Sequence, residues 1–156
     1  VACAAWALGE AGVDLVDASV PWQGLVESGE DVVLHDALCP MAPPAFLAAC
    51  LERARTTGSV VVGVRPVTDT VKAVSDGVVG ATLDRDDLLA LASPLVLPAA
   101  VVSELAQRPV ADLARAVGDL AAAGHRVETV EAPPEARRVA SGEDVRLLEA
   151  LTRPLV

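Results

Sequence analysis

Two rhythms of apolar and polar positions run along this chain. After Pro43 and Pro44, apolar residues fall at Phe46, Leu47, Cys50, Leu51 and Ala54, a three-and-four spacing that places them on one helical face. The proline pair opens that helix, where a missing N–H is harmless, and Gly58 closes it. Next comes Ser59–Val64, a nearly continuous valine run with the pattern of an interior parallel strand buried on both faces. Asp31–His35 predicts a second short buried strand. Ala-rich Val1–Ala11 predicts a helix stopped by Gly12. Val13–Val20 has β-branched content enough to predict a strand, against Asp14 and Asp17.

In the second half, Asp84 predicts a cap for a helix over Arg85–Ala92, and Pro94 and Pro98 punctuate the next stretch. Val101–Ala106 and Val110–Ala123 predict helices, the latter closed by Gly124. His125–Glu131 predicts a strand, and Pro133-Pro134 a turn. Ser141, with Asp144 three residues on, predicts a capping box for a last helix. That helix turns Val145, Leu148 and Leu151 to the core and stops at Pro154. Between Arg65 and Arg85 two extended segments flank Asp76-Gly77, a strong hairpin signal, and predict an arm protruding from the sheet. Helices alternating with short strands favour an α/β sheet over a sandwich or a bundle. No repeat, low-complexity tract or linker divides the 156 residues, which read as a single domain.

Composition narrows the picture. The chain is 53% apolar but has two Trp, one Phe and no Tyr, so its core is Ala, Val and Leu. It has neither Ile nor Asn, and its twelve basic residues include one lysine, Lys72, a skew typical of a GC-rich bacterial genome. A net charge of −10 is the wrong sign for nucleic-acid binding by phosphate neutralisation. An anionic small molecule needs a local basic cluster working against that field. No run reaches the roughly 18 apolar residues that span a bilayer, and no membrane association is expected. Val1–Leu8 lacks the basic flank of a signal peptide. Cys3, Cys39 and Cys50 are odd in number and show no CxxC spacing, which fits a reducing, cytoplasmic location.

Three constellations can carry chemistry. In His35-Asp36-Ala37-Leu38-Cys39-Pro40, Asp36 stands where a strand ends, the edge at which open α/β sheets bind ligands. A carboxylate there can hold a divalent cation riding on a nucleotide's phosphates, or simply cap a turn. His35 leaves the strand on the opposite face and reads as a buried, hydrogen-bonded histidine rather than a base. On the arm, Thr70, Lys72 and Arg85 can share a surface. A hydroxyl with two cations suits a phosphate, and the same residues are ordinary for a solvated hairpin. Arg137-Arg138 precede the Ser141 cap, where a helix entrance attracts anions; they also balance Glu135, Glu143 and Asp144. Neither GxGxxG nor GxxxxGK[ST] occurs, and His35 and His125 are too far apart in sequence for a metal-binding pair. Cys39 would need a basic neighbour to act as a nucleophile, and Cys3 and Cys50 read as small core residues.

In this order the segments resemble the 2-C-methyl-D-erythritol 4-phosphate cytidylyltransferase family. The family's His-Asp-Ala-Ala-Arg-Pro is His35–Pro40 here, and its Asp-Thr-(Ile/Met)-Lys is Asp69-Thr70-Val71-Lys72. Its Thr-x-Asp-Arg across an arm is Thr82-Leu83-Asp84-Arg85. Leu-x-Thr-Pro-Gln is echoed by Leu91-Ala92-Ser93-Pro94-Leu95, and Asn-x-Lys-(Ile/Val)-Thr-x-Pro-Glu-Asp-Leu by Ala136–Val145. The resemblance runs from residue 31 to the C-terminus. It implies a Rossmann-like, mostly parallel sheet with flanking helices and a protruding β-arm, forming a homodimer through that arm. It implies transfer of CMP from CTP to 2-C-methyl-D-erythritol 4-phosphate, a sugar-alcohol phosphate, with release of pyrophosphate and with Mg2+.

By the same resemblance Asp36 lies near the metal and nucleotide. Thr70 and Arg85 hold the sugar-alcohol phosphate in the partner subunit's site, and Arg138 takes the place of a catalytic lysine. Lys72 matches the motif lysine and receives no role. The family's Gly-rich phosphate loop has no counterpart in residues 1–30, so the domain is expected to lack it. Cys39 stands where the family has arginine, and Ala136 and Ala140 replace Asn and Thr. These departures imply impaired catalysis, with a non-catalytic homologue acting as a binding or dimeric interaction protein as the alternative.

Overall fold

A computed structural model describes residues 1–16 and 19–153. In chain order the elements are α1 (Ala2–Glu10), α2 (Trp22–Ser28), β1 (Val32–Leu34), α3 (Pro44–Thr57), β2 (Val60–Pro66), β3 (Val71–Ser75), β4 (Val78–Leu83), β5 (Leu89–Leu97), α4 (Ala99–Glu104), α5 (Leu113–Ala122), β6 (Val127–Glu131) and α6 (Gly142–Thr152). Four strands form a mixed sheet in the order β1-β5-β2-β6. β6 runs parallel to β2, and β5 runs antiparallel to both β1 and β2. The α/β class with flanking helices is the one the sequence indicates.

The valine run is nearly continuous because β2 is buried on both faces. Val60, Val62 and Val64 pack with Leu95 and Leu97 against Val102 of α4 and Ala116 and Leu120 of α5. Val61 and Val96 meet Phe46, Leu47, Cys50 and Ala54 of α3, with Ala7 and Leu8 of α1 behind them. The five apolar positions read from the helical period of α3 are the five it buries. Gly58 ends that helix in the left-handed region at φ 66°.

Gly63 interrupts the valines for a steric reason. A Cβ there would lie 2.9 Å from the Ala92 carbonyl oxygen and 2.9 Å from Phe46 Cζ. Opposite it the register jumps, with Val62 facing Leu95 and Gly63 facing Ala92, so Ser93 and Pro94 occupy a bulge in β5. A proline is tolerated in an interior strand at such a place.

Three expected elements differ in the structure, and α2, Trp22–Ser28, is a helix that the sequence reading did not anticipate. The helix expected over Arg85–Ala92 is a single 3₁₀ turn, Arg85–Asp87, followed directly by β5. Asp84 does cap, accepting the Asp86 N–H at 3.1 Å. Pairing of Leu89–Ala92 along Gly63–Pro66 of β2 then overrides local helical preference. The strand expected at Val13–Val20 is absent from its described residues, and its Asp17 and Ala18 lie outside them. Val13 N–H is tied back to Leu8, and Leu15 and Val16 are exposed with no partner strand. The capping box of α6 is present, but of the three residues expected to face the core only Leu148 is buried. Pro154, expected to stop that helix, lies outside the described residues.

β3 and β4 form the arm, joined by Asp76 at φ 52° and Gly77 at φ 78°, the conformation that a tight hairpin turn demands. Every residue of β4 is exposed. No helix among the described residues is long and apolar enough to cross a membrane.

Candidate functional site

β1 stops at Leu34, and the next five residues make a turn whose shape comes from part-buried hydrogen bonds. The Asp36 N–H donates to Ser93 Oγ at 2.8 Å, and that hydroxyl lies 2.8 Å from His35 Nδ1. His35 Nε2 lies 3.1 Å from the Cys39 carbonyl oxygen, and the Cys39 N–H returns to the Asp36 carbonyl at 2.8 Å. The histidine therefore braces the turn; it is hydrogen-bonded, as expected, but half-buried rather than buried. Burial lowers its pKa, opposed only in part by the Cys39 carbonyl and the charge of Asp36, which keeps it neutral at pH 7.

The Asp36 carboxylate faces outward with both oxygens engaged. Oδ1 accepts the Leu38 N–H at 2.9 Å, and Oδ2 accepts Arg138 Nε–H at 2.7 Å across 102 residues of sequence. A second strap, Val139 N–H to the Leu38 carbonyl at 2.7 Å, holds the Arg138 segment against the turn. Burial alone would raise the Asp36 pKa, but the Leu38 N–H and the Arg138 guanidinium outweigh it and hold it below the usual range. With the two side chains 38% and 56% exposed, such a pair contributes about 0–1 kcal/mol to stability. Its consequence is placement. Arg137 goes elsewhere: its Nε sits 3.8 Å from Asp144 Oδ1 and makes no hydrogen bond. Of the basic pair, Arg138 is the one at the strand edge.

A separate cleft of about 420 Å³ opens on the arm, lined by Thr70, Val71, Thr82, Leu83, Asp84 and Arg85. Thr70 and Arg85 line it together, whereas Lys72, expected on the same surface, is not among its lining residues. Lys72 pairs in register with Thr82 and donates to its hydroxyl at 2.5 Å. Arg85 donates to the Thr68 carbonyl at 2.8 Å, a neutral acceptor that leaves its positive charge uncompensated by that bond. No lining residue of this cleft belongs to the turn or to the Arg138 segment.

The cysteines divide. Cys39 and Cys50 are buried, and burial pushes the Cys50 thiol up to about 12 and raises Cys39 despite a hydrogen bond from the Ser93 backbone. Neither is a nucleophile. Cys3, read as a core residue, is exposed, because α1 buries the face carrying Ala4, Ala7 and Leu8 instead.

Among the described residues no group of three or more His, Cys, Asp or Glu side chains could hold a metal ion. Asp36 stands as a lone carboxylate. That donor set suits Mg2+ arriving on a nucleotide's phosphates, with one protein carboxylate beside it, rather than an ion caged by protein. Sequence reasoning missed Ser93, although the hydroxyl residue before Pro94 in the segment echoing Leu-x-Thr-Pro was the signal that pointed to it.

A mixed α/β sheet with flanking helices and a protruding hairpin arm is the architecture of nucleotidyltransferase-type α/β domains. Residues 16–153 match the family described as IspD, 2-C-methyl-D-erythritol 4-phosphate cytidylyltransferase, and the chain belongs to that family. It is 34% identical over 128 residues to a bifunctional IspD/IspF enzyme of Clavibacter michiganensis, covering 81% of this chain and 31% of that one. It is 33% identical over 134 residues to a 2-C-methyl-D-erythritol 4-phosphate cytidylyltransferase of Lysinibacillus sphaericus, covering 82% and 56%. The chain thus spans about half or less of these relatives' length. The crystal structure of the Thermus thermophilus cytidylyltransferase is similar with a TM-score of 0.65 at 25% identity, covering 84% of this chain and 67% of that one.

Proposed function

We propose that this chain is a cytidylyltransferase domain that transfers CMP from CTP to 2-C-methyl-D-erythritol 4-phosphate at a reduced rate. The meeting of Asp36 and Arg138 at 2.7 Å, at the strand edge where α/β sheets take ligands, carries the reading. In this reaction a phosphate oxygen of the sugar-alcohol phosphate attacks the α-phosphorus of CTP, and pyrophosphate leaves. Catalysis of such a step is positioning and charge stabilisation more than covalent chemistry. A guanidinium has five N–H donors, so Arg138 keeps four after Nε is committed to Asp36. Those donors hold the charge that develops on the α-phosphate. Asp36 orients Arg138 and is the residue that would hold Mg2+, which when bound neutralises the triphosphate. Thr70 and Arg85 grip the phosphate of the acceptor, with Arg85 offering its fork.

The arm supports a homodimer. A two-stranded hairpin is marginal alone, and Val74, Val78 and Val79 leave it 64%, 69% and 67% exposed. A second copy that covers those valines brings Thr70 and Arg85 to its partner's Asp36–Arg138 edge. The reduced rate follows from Cys39, a neutral buried thiol where the family motif has arginine. Three free cysteines accord with a reducing cytoplasm. The same substitution supports a second reading, a non-catalytic homologue acting as a binding or dimeric interaction protein.

The test is pyrophosphate release by the purified chain with CTP, 2-C-methyl-D-erythritol 4-phosphate and Mg2+. Slow release that requires both substrates and is lost in Arg138→Ala supports the enzyme. CTP binding without release moves the assignment to the second reading as a binding protein, and no CTP binding removes the enzyme and leaves the dimeric interaction role alone.

A further inference from the structure

Ser93 is a polar exception in an apolar strand. Ala92, Leu95, Val96 and Leu97 around it are buried hydrocarbon, and Ser93 is only 2% exposed. A buried hydroxyl is tolerated when its hydrogen bonds are made, and those of Ser93 go to the turn that carries Asp36, 57 residues earlier in sequence. Counting protons shows how the bonds must run. The Cys39 carbonyl is an acceptor only, so His35 Nε2 has to carry a hydrogen to face it. The other neutral tautomer would set the Nε2 lone pair against that carbonyl oxygen. Nδ1 is then bare and accepts from Ser93, whose one hydroxyl proton points to the ring while its oxygen receives the Asp36 N–H. Each donor and acceptor in this series of bonds has one partner, and reversing any of them leaves a buried group unpaired.

We propose that Ser93 is a positioning residue for the Asp36–Arg138 pair: its hydroxyl joins the Asp36 N–H to His35 Nδ1 and so fixes the turn from which the Asp36 carboxylate reaches Arg138. The role rests on reading that pair as part of the functional site. The pair is itself exposed and has little strength to hold its own geometry. Its direction comes from the part-buried network beneath it, anchored on the buried Ser93. Without the hydroxyl, the Asp36 N–H and His35 Nδ1 lose their shared partner inside the protein, and the turn must shift to find water.

The experiment uses the full chain with 15N-labelled histidine and arginine, read by nuclear magnetic resonance. Wild-type protein is expected to show His35 in the Nε2–H tautomer and a resolved, exchange-protected Arg138 Nε–H signal, assigned by its loss in Asp36→Asn. Ser93→Ala should lose the Arg138 signal while the fold persists by circular dichroism. Ser93→Thr, which restores the hydroxyl that the Leu-x-Thr-Pro motif places there, should regain it. A role in packing alone would leave the Arg138 signal unmoved. If Ser93→Ala does not fold, Ser93→Cys fills the site with a somewhat larger, weakly hydrogen-bonding group and is read the same way. An Nδ1–H tautomer in the wild type, or a folded Ala or Cys variant that keeps the Arg138 signal, overturns the proposal. Pyrophosphate release measured in parallel separates the two claims: the expected signals without turnover uphold the role of Ser93 and remove the enzymatic reading. Turnover with the Arg138 signal intact in Ser93→Ala does the opposite.

Discussion

The turn at residues 35–39 and the arm at residues 71–83 both carry family motifs, yet their side chains take their positions from different sources. In the turn, Asp36 is placed by Ser93 of β5, by His35 behind it and by Arg138 from far along the chain. In the arm, Lys72 and Arg85 bond to Thr82 and Thr68, residues of the hairpin and its root. The turn leans on a sheet buried on both faces, whereas the arm exposes its valines. A site built on a buried scaffold has its geometry within one chain. A site built on an exposed hairpin acquires its geometry from whatever covers it, and here a second copy of the chain is the proposed cover.

Core and arm truncations should break this symmetry most visibly. Leu47→Ala, at a position 1% exposed, should cost about 2–5 kcal/mol in chemical denaturation. Val79→Ala on the arm should change monomer stability by less than about 0.5 kcal/mol. Its effect should appear instead as a higher dimer dissociation constant in sedimentation. Equal losses from both would show that the arm is part of the folding core.

Gly63→Ala comes next. The added methyl meets the Ala92 carbonyl, which cannot swing aside as a side-chain tip can, so a cost of about 1–3 kcal/mol is expected from the melting temperature. Because Ala92 precedes Ser93, the same change should also disturb the turn, while the hairpin's amide spectrum stays unchanged. The smallest effect is chemical. Iodoacetamide at pH 8 should label Cys3 in the native protein and spare Cys39 and Cys50, with all three modified in denaturant. Labelling of native Cys39 would mean that the turn opens readily, against a rigid scaffold.

Much of the fold was legible because it is local. The period of α3, the Asp-Gly turn and the Ser141–Asp144 box are decided by residues within a few positions of one another. β5 was not, since its identity depends on pairing with β1 and β2 and on a bulge that accommodates Pro94 opposite the Val62–Gly63 step. Asp84, a true cap, pointed locally to a helix that the sheet does not permit. The site divides in the same way. Asp36 was visible at the end of a strand, and Thr70 and Arg85 in their motifs. The bond from Asp36 to Arg138 and the Ser93 hydroxyl beneath it join residues 102 and 57 positions apart, which no local spacing encodes.

The claim that the two regions complete each other across a dimer is tested most directly by mixing two inactive variants. Arg85→Ala keeps the turn and loses the arm's guanidinium, and Arg138→Ala does the reverse. Each alone should release no pyrophosphate from CTP and 2-C-methyl-D-erythritol 4-phosphate. Unfolded and reassociated together in equal amounts, half of the dimers pair an intact turn with an intact arm at one of their two sites, so about a quarter of wild-type activity should return. Recovery at that level is the predicted result. No recovery, with mixed dimers confirmed by mass, would contradict a site shared between subunits.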